Sequence, residues 1–223
     1  MKPQFDVVEI LPKSTHRYSI IWLHGLGADG HDFESIVPAL GLTEQDGVHF
    51  VFPNAPVRPV TINGGMAMRS WYDILDMSLE RKVDIDGIYQ SAVLITKLVQ
   101  HEIDYGVASE NILLAGFSQG GVIALHTGLR FQHKLAGILA LSCYLPMPER
   151  LKTERTAINS LTPILMAHGT WDPVIPLRSG KTAYDSLKAL QYPVEWREYP
   201  MEHGLCLEEI KHIANFIKEC FDK

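Results

Sequence analysis

A five-residue motif between an apolar run and a helix-forming segment constrains this chain more than any other feature. The motif G-F-S-Q-G occupies residues 116–120 and follows residues 112–115, an apolar run short enough for a buried strand. The residues after it, 121–125, can open a helix. A G-x-S-x-G sequence in this position is typical of a nucleophile elbow, a turn so tight that its flanking positions tolerate almost no side chain. The pattern predicts a strand–turn–helix unit with the hydroxyl of Ser118 exposed at the edge of a sheet.

Short apolar runs alternate with amphipathic segments along the rest of the chain. Near-continuous apolar strands between helices are typical of a parallel sheet that is covered on both faces. The predicted fold class is therefore α/β, with a mostly parallel central sheet flanked by helices, in a single domain over residues 1–223. Strands are predicted at 18–23, 48–52, 112–115, 137–142, 163–168 and 194–199, with an additional strand at 5–11, and helices at 84–105, 120–132, 177–190 and 207–220.

Two connections between the predicted elements bear on the site. About 20 residues separate the strand ending at 142 from the strand at 163–168, which is too few for a cap domain, so we expect a site open to solvent. Residues 53–71 are rich in proline and glycine but too apolar for a linker. They are predicted to form a long ordered loop that serves the site.

Charge and cysteine content exclude several classes of partner. The formal net charge is −6 and no basic run is present, which argues against nucleic acid and against docking on anionic membranes. No stretch approaches the roughly 20 apolar residues of a membrane span, and no signal-peptide core follows the N-terminus. The three cysteines are unpatterned and are predicted to be reduced thiols. We therefore expect a cytoplasmic protein without integral membrane association.

A serine nucleophile needs a base, and the base needs a third group to orient it. In this architecture the partners follow in the order serine, acid, histidine, each after a later strand. Asp172 comes soon after the strand at 163–168, and His203 comes soon after the strand at 194–199. The sequence thus predicts Ser118, Asp172 and His203 as a catalytic triad.

The alternatives for these two partners are ordinary structural roles. Asp172 precedes Pro173, and aspartate often forms turns in that position. Among the ten histidines, His203 alone has both the position and the order that the triad requires. His31 precedes the nucleophile, and His168 directly abuts a strand, so a structural role is predicted for it.

Two backbone N–H groups are predicted to form the oxyanion hole. One belongs to Gln119, directly after the serine, and the other to Leu26, in the glycine-rich loop after the strand at 18–23. That loop also matches G-x-G-x-x-G over residues 25–30, a weak signal for a nucleotide site, but no acidic residue ends the next strand as such a site requires. No H-E-x-x-H motif or Cys/His cluster is present in the sequence, so no metal and no cofactor are predicted.

With these motifs in order, the chain resembles the phospholipase/carboxylesterase family of small α/β-hydrolases, which includes carboxylesterases, lysophospholipases and acyl-protein thioesterases. The resemblance implies the α/β-hydrolase fold without a cap domain, a triad of Ser118, Asp172 and His203, and oxyanion donors at Leu26 and Gln119. It also implies dimers in some members, so a homodimer is one expectation. The matching segments are 22–30, 52–56, 71–73, 116–121, 168–172 and 203–204.

Residues 60–71 match the bacterial-type esterases of this family better than its eukaryotic thioesterases, which favours a serine carboxylesterase for short to medium acyl esters. The alternatives are an acyl-protein thioesterase, a lysophospholipase and, more remotely, a non-catalytic binding protein on the same scaffold. The expected partner is a small-molecule ester or an acylated substrate. Met66, Met68 and Trp71 are predicted to line an adaptable acyl groove, with packing of the loop as the alternative.

Overall fold

The computed structural model describes residues 6–42, 45–76 and 82–222. Its central sheet has seven strands, which lie side by side in the order Val7–Ile10, Val48–Pro53, Tyr18–Leu23, Ile112–Phe117, Gly137–Leu141, Ile164–Gly169 and Val194–Tyr199. The first strand pairs antiparallel with its neighbour and the other pairings are parallel. The strands are β1 (Val7–Ile10), β2 (Tyr18–Leu23), β3 (Val48–Pro53), β6 (Ile112–Phe117), β7 (Gly137–Leu141), β8 (Ile164–Gly169) and β9 (Val194–Tyr199), and a separate hairpin consists of β4 (Val57–Val60) and β5 (Met66–Arg69).

Helices cover both faces of the sheet. They are α1 (Ile85–Tyr105), α2 (Gln119–Gly128), α3 (Pro148–Glu154), α4 (Leu177–Ala189) and α5 (Leu207–Phe221), with 3-10 turns at Glu34–Leu40, Thr61–Asn63, Ser109–Asn111 and Ala157–Asn159. Successive residues of a strand point to opposite faces. In β2, Ile21 therefore packs in the cluster that contains Ile88 of α1, while Ile20 packs in the cluster that contains Ile213 of α5.

These elements confirm the α/β-hydrolase fold, a mostly parallel sheet between helices. Residues 142–163 hold only α3 and one 3-10 turn, so the fold carries no cap domain at this point. The predicted N-terminal strand is present as Val7–Ile10, and Phe5 lies outside the described residues. Among the described residues, no helix combines the length and the apolar composition needed to cross a membrane.

Two predictions about elements were wrong. The segment 53–71 is not a single loop, because Val57–Val60 pairs antiparallel with Met66–Arg69 to form a hairpin. The helix predicted at 120–132 ends at Gly128, a residue with little helix propensity. The chain turns there, and the N–H of Arg130 donates to the carbonyl of Thr127.

Candidate active site

Ser118 lies between β6 and α2 in a strained backbone conformation, with φ of 55° and ψ of −121°. The turn is held by its N–H group, which donates to the carbonyl of Leu141 at 2.9 Å. A Cβ at Gly116 would lie 2.3 Å from the carbonyl of Gly120, and a Cβ at Gly120 would lie 2.3 Å from the carbonyl oxygen of Leu23. Real Cβ atoms do not approach so closely, so both positions of this elbow require glycine.

His203 contacts both other residues of the predicted triad. Its Nε2 lies 3.0 Å from Oγ of Ser118, and its Nδ1 lies 2.6 Å from Oδ2 of Asp172. The ring of Phe117 packs against the imidazole, with centroids 4.7 Å apart. The loops after β6, β8 and β9 therefore bring together a hydroxyl, an imidazole and a carboxylate that are far apart in sequence.

Asp172 also forms the turn that the sequence suggested as its alternative role. Its second oxygen, Oδ1, accepts hydrogen bonds from the N–H groups of Val174 at 2.8 Å and Ile175 at 2.9 Å. Burial by itself raises the pKa of Asp172, but the hydrogen bonds from His203 and from these N–H groups outweigh it and lower the pKa below its usual value. The carboxylate beside His203 is thus ionised at neutral pH.

His168 contacts both Asp172 and the turn that Asp172 forms. Its side chain is fully buried, and its Nε2 lies 2.8 Å from the carbonyl oxygen of Ile175 and 3.4 Å from Oδ2 of Asp172. Burial lowers the pKa of His168, so the ring is neutral at neutral pH. A neutral ring that donates to Ile175 stabilises the loop in which Asp172 sits.

The two predicted oxyanion donors lie beside the nucleophile. Leu26 and Gln119 both border the cavity that contains Ser118. The N–H group of neither residue donates a hydrogen bond to another described residue, whereas the neighbouring N–H of Gly27 donates to the carbonyl of Arg69. Both N–H groups are therefore available to a substrate oxygen.

Buried side chains that the sequence reasoning missed hold these donors in place. The carbonyl of His24 accepts from Nε1 of Trp71 at 2.9 Å, and the Nε2 of His24 accepts from the N–H of Ala55 at 3.0 Å. The side-chain amide of Gln119 accepts from the N–H of Trp71 and donates to the carbonyl of Tyr72. In the sequence, His24 directly precedes the glycine-rich loop and Trp71 ends the segment 53–71, but neither position predicts these bonds.

An apolar cavity of about 230 Å³ lies next to Ser118. Its walls come from the glycine-rich loop, from the turn between the hairpin strands and the residues after the hairpin, from the segment after β7, and from the turn that Asp172 forms. The lining residues are Leu26, Ile62, Tyr72, Ile74, Ser118, Gln119, Tyr144, Pro173, Val174 and Ile175. A cavity of this character suits the hydrocarbon part of a substrate.

The predicted groove residues do not line this cavity. Met66 is 64% exposed on the hairpin, and the sulfur of Met68 accepts from Nδ2 of Asn63. Trp71 is only 1% exposed and packs in the core, where its indole N–H needs the buried carbonyl of His24. The cavity beside Ser118 is lined instead by Ile62, Ile74 and Val174, and the role of Met66, Met68 and Trp71 in a groove stays a prediction.

Residues 5–221 match the phospholipase/carboxylesterase family. The chain belongs to this family. It is 40% identical over 217 residues to acyl-protein thioesterase 1 of Neurospora crassa, covering 93% of this chain and 89% of that protein. It is 36% identical over 222 residues to acyl-protein thioesterase 1 of Yarrowia lipolytica, covering 97% and 98%.

Solved structures of related proteins share the architecture. The crystal structure of Arabidopsis thaliana SOBER1 superposes with a TM-score of 0.86 at 31% identity, covering 92% of this chain and 99% of that one. Acyl-protein thioesterase 2 of Zea mays superposes with a TM-score of 0.86 at 27% identity, covering 96% and 98%. The predicted resemblance to this family is confirmed, and the chain is a serine hydrolase.

Proposed function

We propose that this member of the phospholipase/carboxylesterase family is an acyl-protein thioesterase, which hydrolyses the thioester between a fatty acyl group and a protein cysteine. The observation that carries the proposal is the full-length similarity, at 36% to 40% identity, to fungal proteins named acyl-protein thioesterase 1. These relatives support the thioesterase alternative more than a general carboxylesterase.

In the first step of the proposed reaction, Oγ of Ser118 attacks the thioester carbonyl while Nε2 of His203, 3.0 Å away, takes the hydroxyl proton. The carboxylate of Asp172 holds the imidazole in the required tautomer through its 2.6 Å contact with Nδ1 and stabilises the cation that forms. The N–H groups of Leu26 and Gln119 stabilise the oxyanion. When the tetrahedral intermediate collapses, the C–S bond breaks, and the cysteine leaves as a thiol that has taken the proton from His203.

In the second step, water hydrolyses the acyl-enzyme. The water oxygen attacks the acyl carbonyl while His203 takes a proton from the water. His203 then gives that proton to Oγ of Ser118 as the fatty acid leaves. Both steps use the same base and the same two oxyanion donors. No cofactor enters the scheme.

The cavity beside the nucleophile supports an acyl substrate. Ile62, Ile74 and Val174 offer an apolar surface to a hydrocarbon chain, and Val174 is 58% exposed at the rim. Because residues 142–163 form no cap, a protein carrying the acyl group can approach Ser118 directly. An open rim suits a large leaving group better than a closed pocket does.

Matched substrates separate the proposed activity from its alternatives. We expect an S-acyl cysteine peptide to be hydrolysed with a higher kcat/KM than the same peptide acylated on the oxygen of serine, and than lysophosphatidylcholine of the same chain length. Preference for the oxygen ester would favour the carboxylesterase, and preference for the phospholipid would favour the lysophospholipase.

The nucleophile is tested independently of the substrate class. Ser118→Ala is expected to abolish hydrolysis of all three substrates and labelling by a fluorophosphonate probe, because no hydroxyl remains beside His203. Ser160→Ala, at a serine outside the site, is the matched control. Turnover retained in Ser118→Ala would contradict the assignment, and a wild-type protein that does not react with the probe would instead support a non-catalytic binding protein.

A further inference from the structure

A cluster of two imidazoles and one carboxylate lies at the edge of the sheet opposite the active site. His49 is the second residue of β3, His16 lies just before β2, and Glu102 is on the last turns of α1. Ser118, in contrast, follows the carboxyl end of β6. A cavity of about 300 Å³ opens onto the cluster from outside.

The three side chains converge on one point. Their potential ligand atoms all lie within 4.8 Å of one another. Oε2 of Glu102 is 3.1 Å from Nδ1 of His49 and 3.5 Å from Nε2 of His16. Ligands of a tetrahedral ion with bonds of about 2.1 Å are separated by about 3.4 Å, so the two distances from Glu102 are close to those of a coordination shell. The full set, within 4.8 Å, has to contract slightly around an ion.

We propose that His16, His49 and Glu102 form a zinc site. Two neutral imidazoles and one carboxylate are a donor set that binds Zn²⁺ in proteins. Mg²⁺ and Ca²⁺ suit this set poorly, because they prefer oxygen ligands. Three protein ligands leave a fourth position of the tetrahedron for water, and all three residues border the cavity.

A second observation concerns the other nitrogen of His49. The side chain is 6% exposed, and its Nε2 makes no hydrogen bond to any described residue. This buried nitrogen nevertheless lies 3.2 Å from Oε1 of Glu9 on the neighbouring strand β1. Histidines that bind a metal through one nitrogen usually present the other N–H to a carboxylate, which fixes the tautomer and the ring orientation. Glu9 is in position for that role once Nδ1 of His49 binds the ion.

The rival explanation is a buried hydrogen-bonded cluster without a metal. Oε2 of Glu102 accepts from Oγ of Ser19 at 2.5 Å, and Nε2 of His16 lies 2.9 Å from the same hydroxyl. This network is complete without an ion when Nε2 of His16 carries its proton and donates to Ser19, whose hydroxyl in turn donates to Glu102. What that network leaves without a hydrogen-bond partner is Nε2 of His49. Zinc bound to Nδ1 of His49 would place the proton on Nε2, where Glu9 can accept it, and titration with zinc separates the two explanations.

Zinc at this position would link four parts of the fold. Its ligands and Glu9 come from β1, from the segment before β2, from β3 and from α1, which are joined otherwise by strand pairing and apolar packing. An ion that binds the folded chain and not the unfolded one raises the thermal midpoint as its concentration rises. We therefore expect zinc to stabilise the fold without entering the reaction at Ser118.

The test uses the full chain after removal of metals with a chelator. Titration with ZnCl₂ in a calorimeter should show one ion per chain, and Co²⁺ should give the visible absorption of a tetrahedral site. His16→Ala and His49→Ala are expected to weaken zinc binding at least about 100-fold, because each removes one of three ligands, whereas His133→Ala, at an exposed histidine elsewhere, should bind as the wild type does.

Two further variants test the zinc site without removing any of its three ligands. Glu9→Gln should lower the affinity about 10-fold and leave the ligands intact, so it reports on the site even where a ligand variant does not fold. His203→Ala should bind zinc normally, since the active-site histidine is not part of the site. Zinc binding that disappears in His203→Ala but persists in His49→Ala would overturn the proposal, as would a wild-type protein that shows no tetrahedral Co²⁺ spectrum.

Discussion

At the level of single residues, Asp172 both forms a turn and contacts His203, two roles that the sequence offers as alternatives. One of its oxygens accepts from the N–H groups of Val174 and Ile175, which closes a turn, and the other contacts His203. The turn places Val174 and Ile175 in the wall of the cavity. The same carboxylate thus contacts His203 and shapes the wall of the cavity.

Asp172→Asn separates these two roles. The amide oxygen of asparagine can still accept from Val174 and Ile175, but a neutral side chain cannot stabilise the imidazolium of His203. We expect kcat to fall by about 10³–10⁴, with KM and the thermal midpoint close to wild type. Steady-state kinetics on one thioester and one p-nitrophenyl ester, together with thermal unfolding, would check this.

Glu202→Gln is the matched control for that variant, because Glu202 is an exposed acid directly beside His203 in sequence. It should leave kcat within about twofold of wild type, since it does not contact the imidazole. If kcat fell as far in Glu202→Gln as in Asp172→Asn, the assignment of Asp172 as the acid would be contradicted.

At the level of elements, the start of α1 is tied to the wall of the cavity. Oδ1 of Asp84 accepts from the N–H of Gly87 at 2.9 Å, as an N-cap does, and Oδ2 accepts from the N–H of Asp73 at 2.8 Å. Asp73 lies between Tyr72 and Ile74, two residues that line the cavity. Capping of this helix and positioning of the cavity wall therefore depend on the same carboxylate.

Replacement of Asp84 by alanine is expected to lower the free energy of unfolding by about 1–2 kcal/mol, because it removes the cap and leaves the N–H of Asp73 unpaired. The neighbouring Asp86→Ala should cost only about 0.3–0.5 kcal/mol, the effect of a charge on the helix dipole. Urea unfolding of both variants measures the difference, and equal losses would show that Asp84 is not the cap.

The hairpin illustrates which elements local patterns miss. Strand β4 contains Pro59, which has no N–H for the ladder, and it is only four residues long. Its residues show neither the apolar continuity that predicted β2 nor the alternation that predicted β9, both with their observed bounds. A two-stranded ribbon of this kind depends on contacts outside the ribbon, such as the bond from Arg69 to the carbonyl of Ala55, which no local window contains.

At the level of the whole molecule, one buried acid makes stability depend on pH. Glu209, on α5, is fully buried, and burial raises its pKa to about 8 in spite of the nearby backbone N–H of Cys206. In the unfolded chain the carboxyl releases its proton near its ordinary value of 4.5. Between these two values the folded state binds more protons than the unfolded state, so this group lowers the free energy of unfolding as the pH rises.

Glu209→Gln should remove this dependence, because glutamine has no proton to lose. We expect the variant to gain about 1–3 kcal/mol of stability relative to wild type between about pH 5 and pH 8, measured by urea unfolding at several pH values. Glu208→Gln, at the exposed neighbour, should leave the pH dependence unchanged. A wild-type protein whose stability is flat over this range, or a Glu209→Gln variant with the same slope as wild type, would contradict the shifted pKa.

The fold class and the order of the site residues were predictable because the information is local. Ser118 lies in a strand–turn–helix whose glycines allow its close contacts, and Asp172 and His203 each follow a strand that the sequence pattern predicts. In a parallel sheet the carboxyl ends of strands meet at one edge, so residues after successive strands become neighbours. Strand pattern and chain order were therefore enough to predict which three side chains would meet.

Only the tertiary structure shows the contacts between residues that are far apart in sequence and do not lie at the ends of strands. The burial of Trp71 depends on its bond to His24, 47 residues earlier, and the contact of His49 with Glu102 spans 53 residues. The sequence by itself determined the sheet, the elbow and the order of the triad, since burial and turn geometry are recorded in neighbouring residues. The cavity lining and the second polar cluster arise from strand register and helix packing, which are set by the whole core at once.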